Sequence, residues 1–148
     1  MLTKLTSNDI ARLWDLLKLG LKESVPPYVL LRNDTLNTIL DHLLTDHMQC
    51  WISHKRVEED KELEIFAFIF TTFFIDNCSY TKSLMIYAIY GTTLIPEREW
   101  KEGVLALYKY AKEKKCDQIV GHTSNKVLID RAIEFGGNAE YTYITIPI

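Results

Sequence analysis

The sequence predicts one α/β domain of the α+β kind spanning residues 1–148: a central mixed, mostly antiparallel sheet flanked by about four helices. Three observations carry this. Apolar residues recur at helical spacing in four separate stretches. The runs "LEIFAFIFTTFFID" and "SLMIYAIY" are rich in Phe, Ile and Tyr and bounded by turn residues, as strands are. At 148 residues the chain can bury about two thirds of the surface it would expose unfolded, so its core needs no staples.

Each element follows from its residues. Ile10, Leu13, Trp14, Leu17 and Leu21 share a helical face after the polar "TSND", and the first helix is expected to end near Gly20. "VPPY" then breaks the pattern, because proline lacks an amide donor and restricts the residue before it. Leu36, Ile39, Leu40, Leu43 and Leu44 form the stripe of a second helix, with Asn33 or Asp34 as its cap. "MQCWIS", a charged and solvated turn "HKRVEEDKE", and "LEIFAFIFTTFFID" read as a hairpin whose second strand, apolar on both faces, lies inside the sheet. "DNCSYTKS" turns the chain into "SLMIYAIY", a further central strand. Trp100, Val104, Leu107 and Ala111 make the stripe of a third helix, and "DQIVGHT" follows as a short strand, giving a strand-helix-strand crossover. In "SNKVLIDRAIEFGG" Ser124 caps a fourth helix, Val127, Leu128, Ala132 and Phe135 point inward, and Gly136 stands where a C-terminal glycine belongs. "AEYTYITIPI" closes the chain as an alternating strand.

Charge and cysteine usage exclude several function classes. A net charge of -3 argues against nucleic acid as a partner, since phosphate contacts need a clustered excess of Lys and Arg. The one basic cluster, Lys112, Lys114 and Lys115, ends a helix, where cations complement the macrodipole. Cys50, Cys78 and Cys116 are widely spaced and odd in number, which points to a reduced, cytoplasmic chain. No membrane role is expected: the start lacks a signal-peptide core and "IFAFIFTTFFI" is too short to span a bilayer. No metal is expected either, because His42 and His47 are five apart and do not share a helical face.

The element order, and "AKEKKCDQIVGHTSNKVLIDRAIEFGGNAEYTYI" most clearly, resembles the GNAT superfamily of acyl-CoA-dependent N-acyltransferases. That resemblance implies acetyl-CoA, a small-molecule acyl-CoA, as cofactor and a primary amine as acceptor. It also implies that the strands around "SLMIYAIY" and "DQIV", fourth and fifth in the family's order, splay so that the cofactor arm pairs with backbone at Ala88, Ile89 and Tyr90. In the family the loop after the fourth strand grips the CoA pyrophosphate through glycine-flanked amides at a helix start, where unpaired N–H groups and the dipole favour an anion. In "LIPEREWKEG" only Gly103 remains of those glycines, with Arg98 and Lys101 as candidate phosphate partners. Glu97, Glu99 and Glu102 already occupy the favourable field, Pro96 forms the helix start, and Trp100 stands where a small residue belongs.

Asn125 matches a family asparagine that contacts the cofactor, whereas the tyrosine expected seven residues on, which protonates the leaving thiolate, is Ala132 here. The remaining proton-transfer candidates are His122 and Tyr90, followed by Tyr87, Asp76 and Glu64. Together these departures describe an acetyltransferase with a degenerate cofactor loop and weak or lost activity. The alternative is a non-catalytic module with a protein partner, virion-associated, because "SNKVLIDRAIEFGGNAEY" is similar in rhythm to GNAT-like internal virion proteins of bacteriophages.

Overall fold

The computed structural model describes residues 1–55 and 63–148; most of the charged turn "HKRVEEDKE" lies outside the described residues. The elements run β1 (Leu2–Lys4), α1 (Ser7–Ser24), α2 (Thr35–Leu44), β2 (Met48–His54), β3 (Ile65–Ile75), β4 (Lys82–Gly91), α3 (Glu97–Glu113), β5 (Gln118–Gly121) and α4 (Lys126–Glu134). The five strands form one sheet in sequence order, antiparallel from β1 to β4 and parallel between β4 and β5. This is the mixed, mostly antiparallel sheet with four helices that the sequence predicts. β1, which it does not predict, is three residues long and too short to show a period.

Helices cover both faces of the sheet. Leu17 and Leu21 of α1 and Ile39 and Leu43 of α2 bury against Phe68 and Phe70. On the opposite face, Leu107 and Ala111 of α3 bury against Trp51, Ala67, Ile69 and Leu84. Successive residues of β3 therefore feed different cores, which is why that strand reads as almost continuously apolar. Between the strands, buried polar groups satisfy one another: Trp51 Nε1 donates to Thr71 Oγ1 at 2.9 Å, and Thr71 Oγ1 donates to Gln49 Oε1 at 2.9 Å.

Helix α1 begins with a capping box, in which Thr6 Oγ1 accepts from the Asp9 amide and Asp9 Oδ2 accepts from the Thr6 amide, both at 3.2 Å. It does not end near Gly20, as the sequence predicts, but runs to Ser24 and stops ahead of Pro26. Gly20 is instead a packing residue: a Cβ there would come within 2.9 Å of Tyr90 Cδ1. Asp34 occupies the N-cap position of α2 but makes no side-chain capping bond.

Three expectations at the C-terminal end are corrected. Asn125, not Ser124, caps α4, its Oδ1 accepting from the Val127 amide at 2.9 Å. No residue of α4 is buried, and Val127, Ala132 and Phe135 are exposed rather than inward. An amphipathic pattern buries a face only when another layer covers it, and the sheet ends at a four-residue β5. Residues 138–148 form no strand, so the predicted closing strand is absent. Gly136 does stand at the helix end, with φ +83°, a region where glycine carries no Cβ penalty.

Candidate active site

The site starts from an irregularity in β4. Phe70 pairs with Ala88 and Thr71 with Ile86, so Tyr87 is an extra residue, a β-bulge that bends the strand. On its other side β4 pairs with β5 only from Ser83–Gln118 to Ile86–Gly121. β5 ends at that point, and among the described residues positions 88–91 of β4 pair with β3 alone. Among the described residues this leaves the backbone edge at Ala88, Ile89 and Tyr90 without a strand partner on the β5 side. The Ala88 side chain is buried towards α1 and α2, Ile89 packs towards α3, and the Tyr90 ring lies against α1 at Gly20.

His122 follows directly after β5. Two tyrosine rings stand edge-on to it, Tyr28 at 5.2 Å and Tyr143 at 4.9 Å between centroids. Its Nδ1 is buried and has no hydrogen-bond partner among the described residues. The Tyr28 hydroxyl donates to Met85 Sδ at 3.1 Å. Burial, and then the neighbouring Tyr143, push the Tyr28 hydroxyl above the usual phenol range; burial, and then Tyr28, do the same for Tyr87. Both phenols are thus protonated at neutral pH. Tyr28 and Tyr143 are functional candidates that sequence reasoning misses, one in a proline loop and one in a presumed strand. The only signal was two aromatic residues in segments of no apparent core role.

Tyr87 also lines an open groove of about 360 Å³ on the α2 side, together with Arg32, Asp34, Thr38, His42 and Met48. Its rim carries both signs of charge, and its size falls within the range of small-molecule sites.

The start of α3 has a different character. Pro96 provides no side-chain cap, but the cations nearby are engaged. Arg98 Nε donates to Glu102 at 2.9 Å, Lys101 Nζ bonds Glu97 at 2.9 Å, and Arg131 of α4 donates to Glu134 at 2.8 Å. The hydrogen bond from Lys101, then its charge and that of Arg131, hold the Glu97 carboxyl below the usual carboxylate range. Glu99 turns inward and pairs with the Met1 amino group. Trp100 and Gly103 line a small apolar cavity of about 70 Å³ with Ile86, Ile89 and Leu107.

The predicted residues therefore fall into two groups. His122 follows β5 and residues 88–90 lie on the part of β4 that β5 does not pair, whereas Arg98, Lys101 and Gly103 lie on α3. Asn125, three residues past His122, has its side-chain oxygen engaged in capping α4. Asp76 is committed elsewhere: its Oδ1 accepts from the Cys78 and Ser79 amides at 3.1 and 2.8 Å, and these bonds hold its carboxyl below the usual range. Glu64 is exposed beside Lys55. His42 and His47 stand 5.8 Å apart between ring centroids, and among the described residues no group of three His, Cys, Asp or Glu side chains could hold a metal. No described helix is long and apolar enough to cross a membrane.

No protein-family model and no curated protein matches the chain in sequence. Solved structures do match it in shape. A protein from Clostridium acetobutylicum, described as a predicted acetyltransferase and solved with acetyl-CoA, is 18% identical with a TM-score of 0.67, the match covering 99% of this chain and 95% of that one. An aminoglycoside acetyltransferase from an uncultured soil metagenomic sample, in complex with sisomicin, is 14% identical with a TM-score of 0.67 over 100% and 94%. A ribosomal-protein-alanine N-acetyltransferase from Brucella melitensis biovar Abortus is 15% identical with a TM-score of 0.61 over 100% and 99%. With the strand order and the bulge in β4, these likenesses show that the chain has the fold of the GNAT superfamily.

Proposed function

We propose that this chain is an acyl-CoA-dependent N-acyltransferase that uses acetyl-CoA, binds it weakly and acts on a small amine. The observation that carries this reading is the end of β4–β5 pairing at Ile86 and Gly121, with the bulge at Tyr87, which leaves an edge of β4 open. An extended amide-containing arm fits the unpaired edge at Ala88–Tyr90, since pairing with it satisfies backbone groups that the sheet leaves open. The diphosphate end fits less well. Arg98, Lys101 and Arg131 each have a carboxylate partner, and Glu97 and Glu99 stand in the first turn of α3.

Acetyl-CoA would supply a thioester acyl group, already activated towards an amine. The groove beside Tyr87 receives that amine, with Asp34 on its rim to attract the ammonium form. His122 Nδ1, buried and without a partner, takes the proton as the amine becomes nucleophilic, directly or through one water. Tyr28, protonated at neutral pH and edge-on to His122, stands in for the acid missing at Ala132 and returns a proton to the leaving sulfur. Orientation by the β4 edge supplies much of the remaining rate.

A thermal-shift titration tests the reading. Acetyl-CoA at 100 times its dissociation constant stabilises a protein by about 2.7 kcal/mol, a rise of roughly 5–10 °C for a domain of this size. No shift at millimolar acetyl-CoA overturns it. If binding is present, His122→Gln should lower the acetylation rate of a small-amine panel by about 10²-fold or more while leaving the acetyl-CoA shift unchanged.

One observation favours a second reading, a non-catalytic interaction module: every cation named at the start of α3 is already paired. In that case Arg98→Ala and Asn125→Ala leave function intact, and acetyl-CoA produces no shift.

A further inference from the structure

The groove beside Tyr87 carries two opposite charges that nothing among the described residues neutralises. Arg32 and Asp34 both line it, two residues apart at the head of α2. A hydrogen-bonded turn fixes their places: the Arg32 amide donates to Thr35 Oγ1 at 2.9 Å, and the Thr35 amide donates to the Arg32 carbonyl at 3.2 Å. Arg12, Arg98 and Arg131 each bond a carboxylate three or four residues away, whereas Arg32 has no carboxylate partner among the described residues. Asp34 stands at the N-cap, but its backbone is helical, with φ -100° and ψ -9°, rather than extended. Its carboxylate therefore does not fold back onto the α2 amides, and no cation pairs with it among the described residues.

We propose that this groove is a site for a free α-amino acid with an apolar side chain, which becomes the acceptor amine on the acyltransferase reading above, on which that role rests. The Arg32 guanidinium takes a carboxylate through two parallel N–H donors, and Asp34 attracts the ammonium. In an α-amino acid those two groups sit on neighbouring carbons, and so close a pair of charges suits two side chains rooted on one turn. An ammonium alone would leave Arg32 without a counter-charge, and a carboxylate alone would leave Asp34 without one. The floor of the groove is apolar: Ile39 and Met48 are each 4% exposed, and the Tyr87 ring beside them is half-buried. An aliphatic side chain laid there is removed from water.

The reaction balances with these groups. The bound ammonium gives up one proton to water and becomes the free amine. Its nitrogen attacks the thioester carbonyl carbon, and the N–C bond forms as the C–S bond breaks. A second proton leaves the nitrogen, and the departing sulfur takes one up, so the products are an N-acetyl amino acid and CoA with a free thiol. The product keeps the carboxylate but has no ammonium. Its hold on Asp34 is lost, which favours release.

Isothermal titration of the full chain with three ligands tests the proposal: L-leucine, isoamylamine, which is leucine without its carboxylate, and isocaproate, which is leucine without its amine. L-Leucine should bind about tenfold more tightly than either. Arg32→Gln should remove the advantage over isoamylamine, and Asp34→Asn the advantage over isocaproate. Both variants should melt where the parent does without ligand, since both side chains are exposed. With acetyl-CoA, thiol release should give a kcat/KM for L-leucine about tenfold above that for isoamylamine. No binding of L-leucine at millimolar concentration, equal affinity for the three ligands, or a loss in Arg32→Gln that is the same for all three overturns the proposal, even where acetyl-CoA binds and isoamylamine is acetylated. L-Leucine binding with the expected pattern in both variants, but no thermal shift from acetyl-CoA, supports the amino-acid site and overturns the acyltransferase reading instead.

Discussion

Gly20 and Tyr90 show how one missing side chain positions another. A Cβ at Gly20 would meet the Tyr90 ring at 2.9 and 3.0 Å, close to its attachment rather than its flexible tip. Gly20→Ala gains about 1 kcal/mol of helix propensity but overpacks this contact at a cost of about 1–3 kcal/mol. The expected outcome is net destabilisation, read as a lower urea midpoint at constant slope. Tyr110 offers the opposite case. Its hydroxyl is buried without a partner among the described residues, and burial, then Asp46 and Cys116, raise its pKa from 10.0 to about 12. Between those values the unfolded phenol ionises while the folded one stays protonated, so this group costs the fold stability as pH rises through that window. Tyr110→Phe should therefore be neutral or stabilising by about 1 kcal/mol at pH 7 and should flatten the alkaline limb of the stability profile. At this scale the sequence was partly legible. His122 stood out because it ends a predicted strand and Asn125 because the family resemblance marks it, whereas Tyr28 and Tyr143 did not, because only the folded chain brings them to His122.

Among the elements, the start of α3 decides how well an anion is held. Its amides lack a side-chain cap, but Glu97 fills the favourable field and engages Lys101. Glu97→Gln should free that lysine and tighten acetyl-CoA binding by about two- to fivefold, the range of an exposed ion pair, with the gain disappearing in high salt. A titration showing no gain at low salt would place the anion elsewhere. The elements themselves were largely readable from residue periodicity. The failures share one cause: period reports which face an element could bury, not whether a neighbour exists to cover it. The stripe of α4 and the alternation of residues 138–148 are real patterns without a covering layer in the single chain. β1 failed for another reason, since three residues carry no period and depend on pairing with Trp51, Ile52 and Ser53.

For the whole molecule, the sheet with its two helical layers forms the stable body, and α4 with the closing segment adds little to it in one chain. The two cores also have an optical consequence. The chain's three tryptophans are divided among the parts of the fold: Trp14 packs in the α1 layer, Trp51 lies in the sheet edge-on to Tyr110, and Trp100 sits in the first turn of α3. Single-tryptophan versions would therefore report separately on each layer by fluorescence. A ligand entering between β4 and β5 should perturb Trp100 and leave Trp14 silent, so that occupancy could be followed without any label.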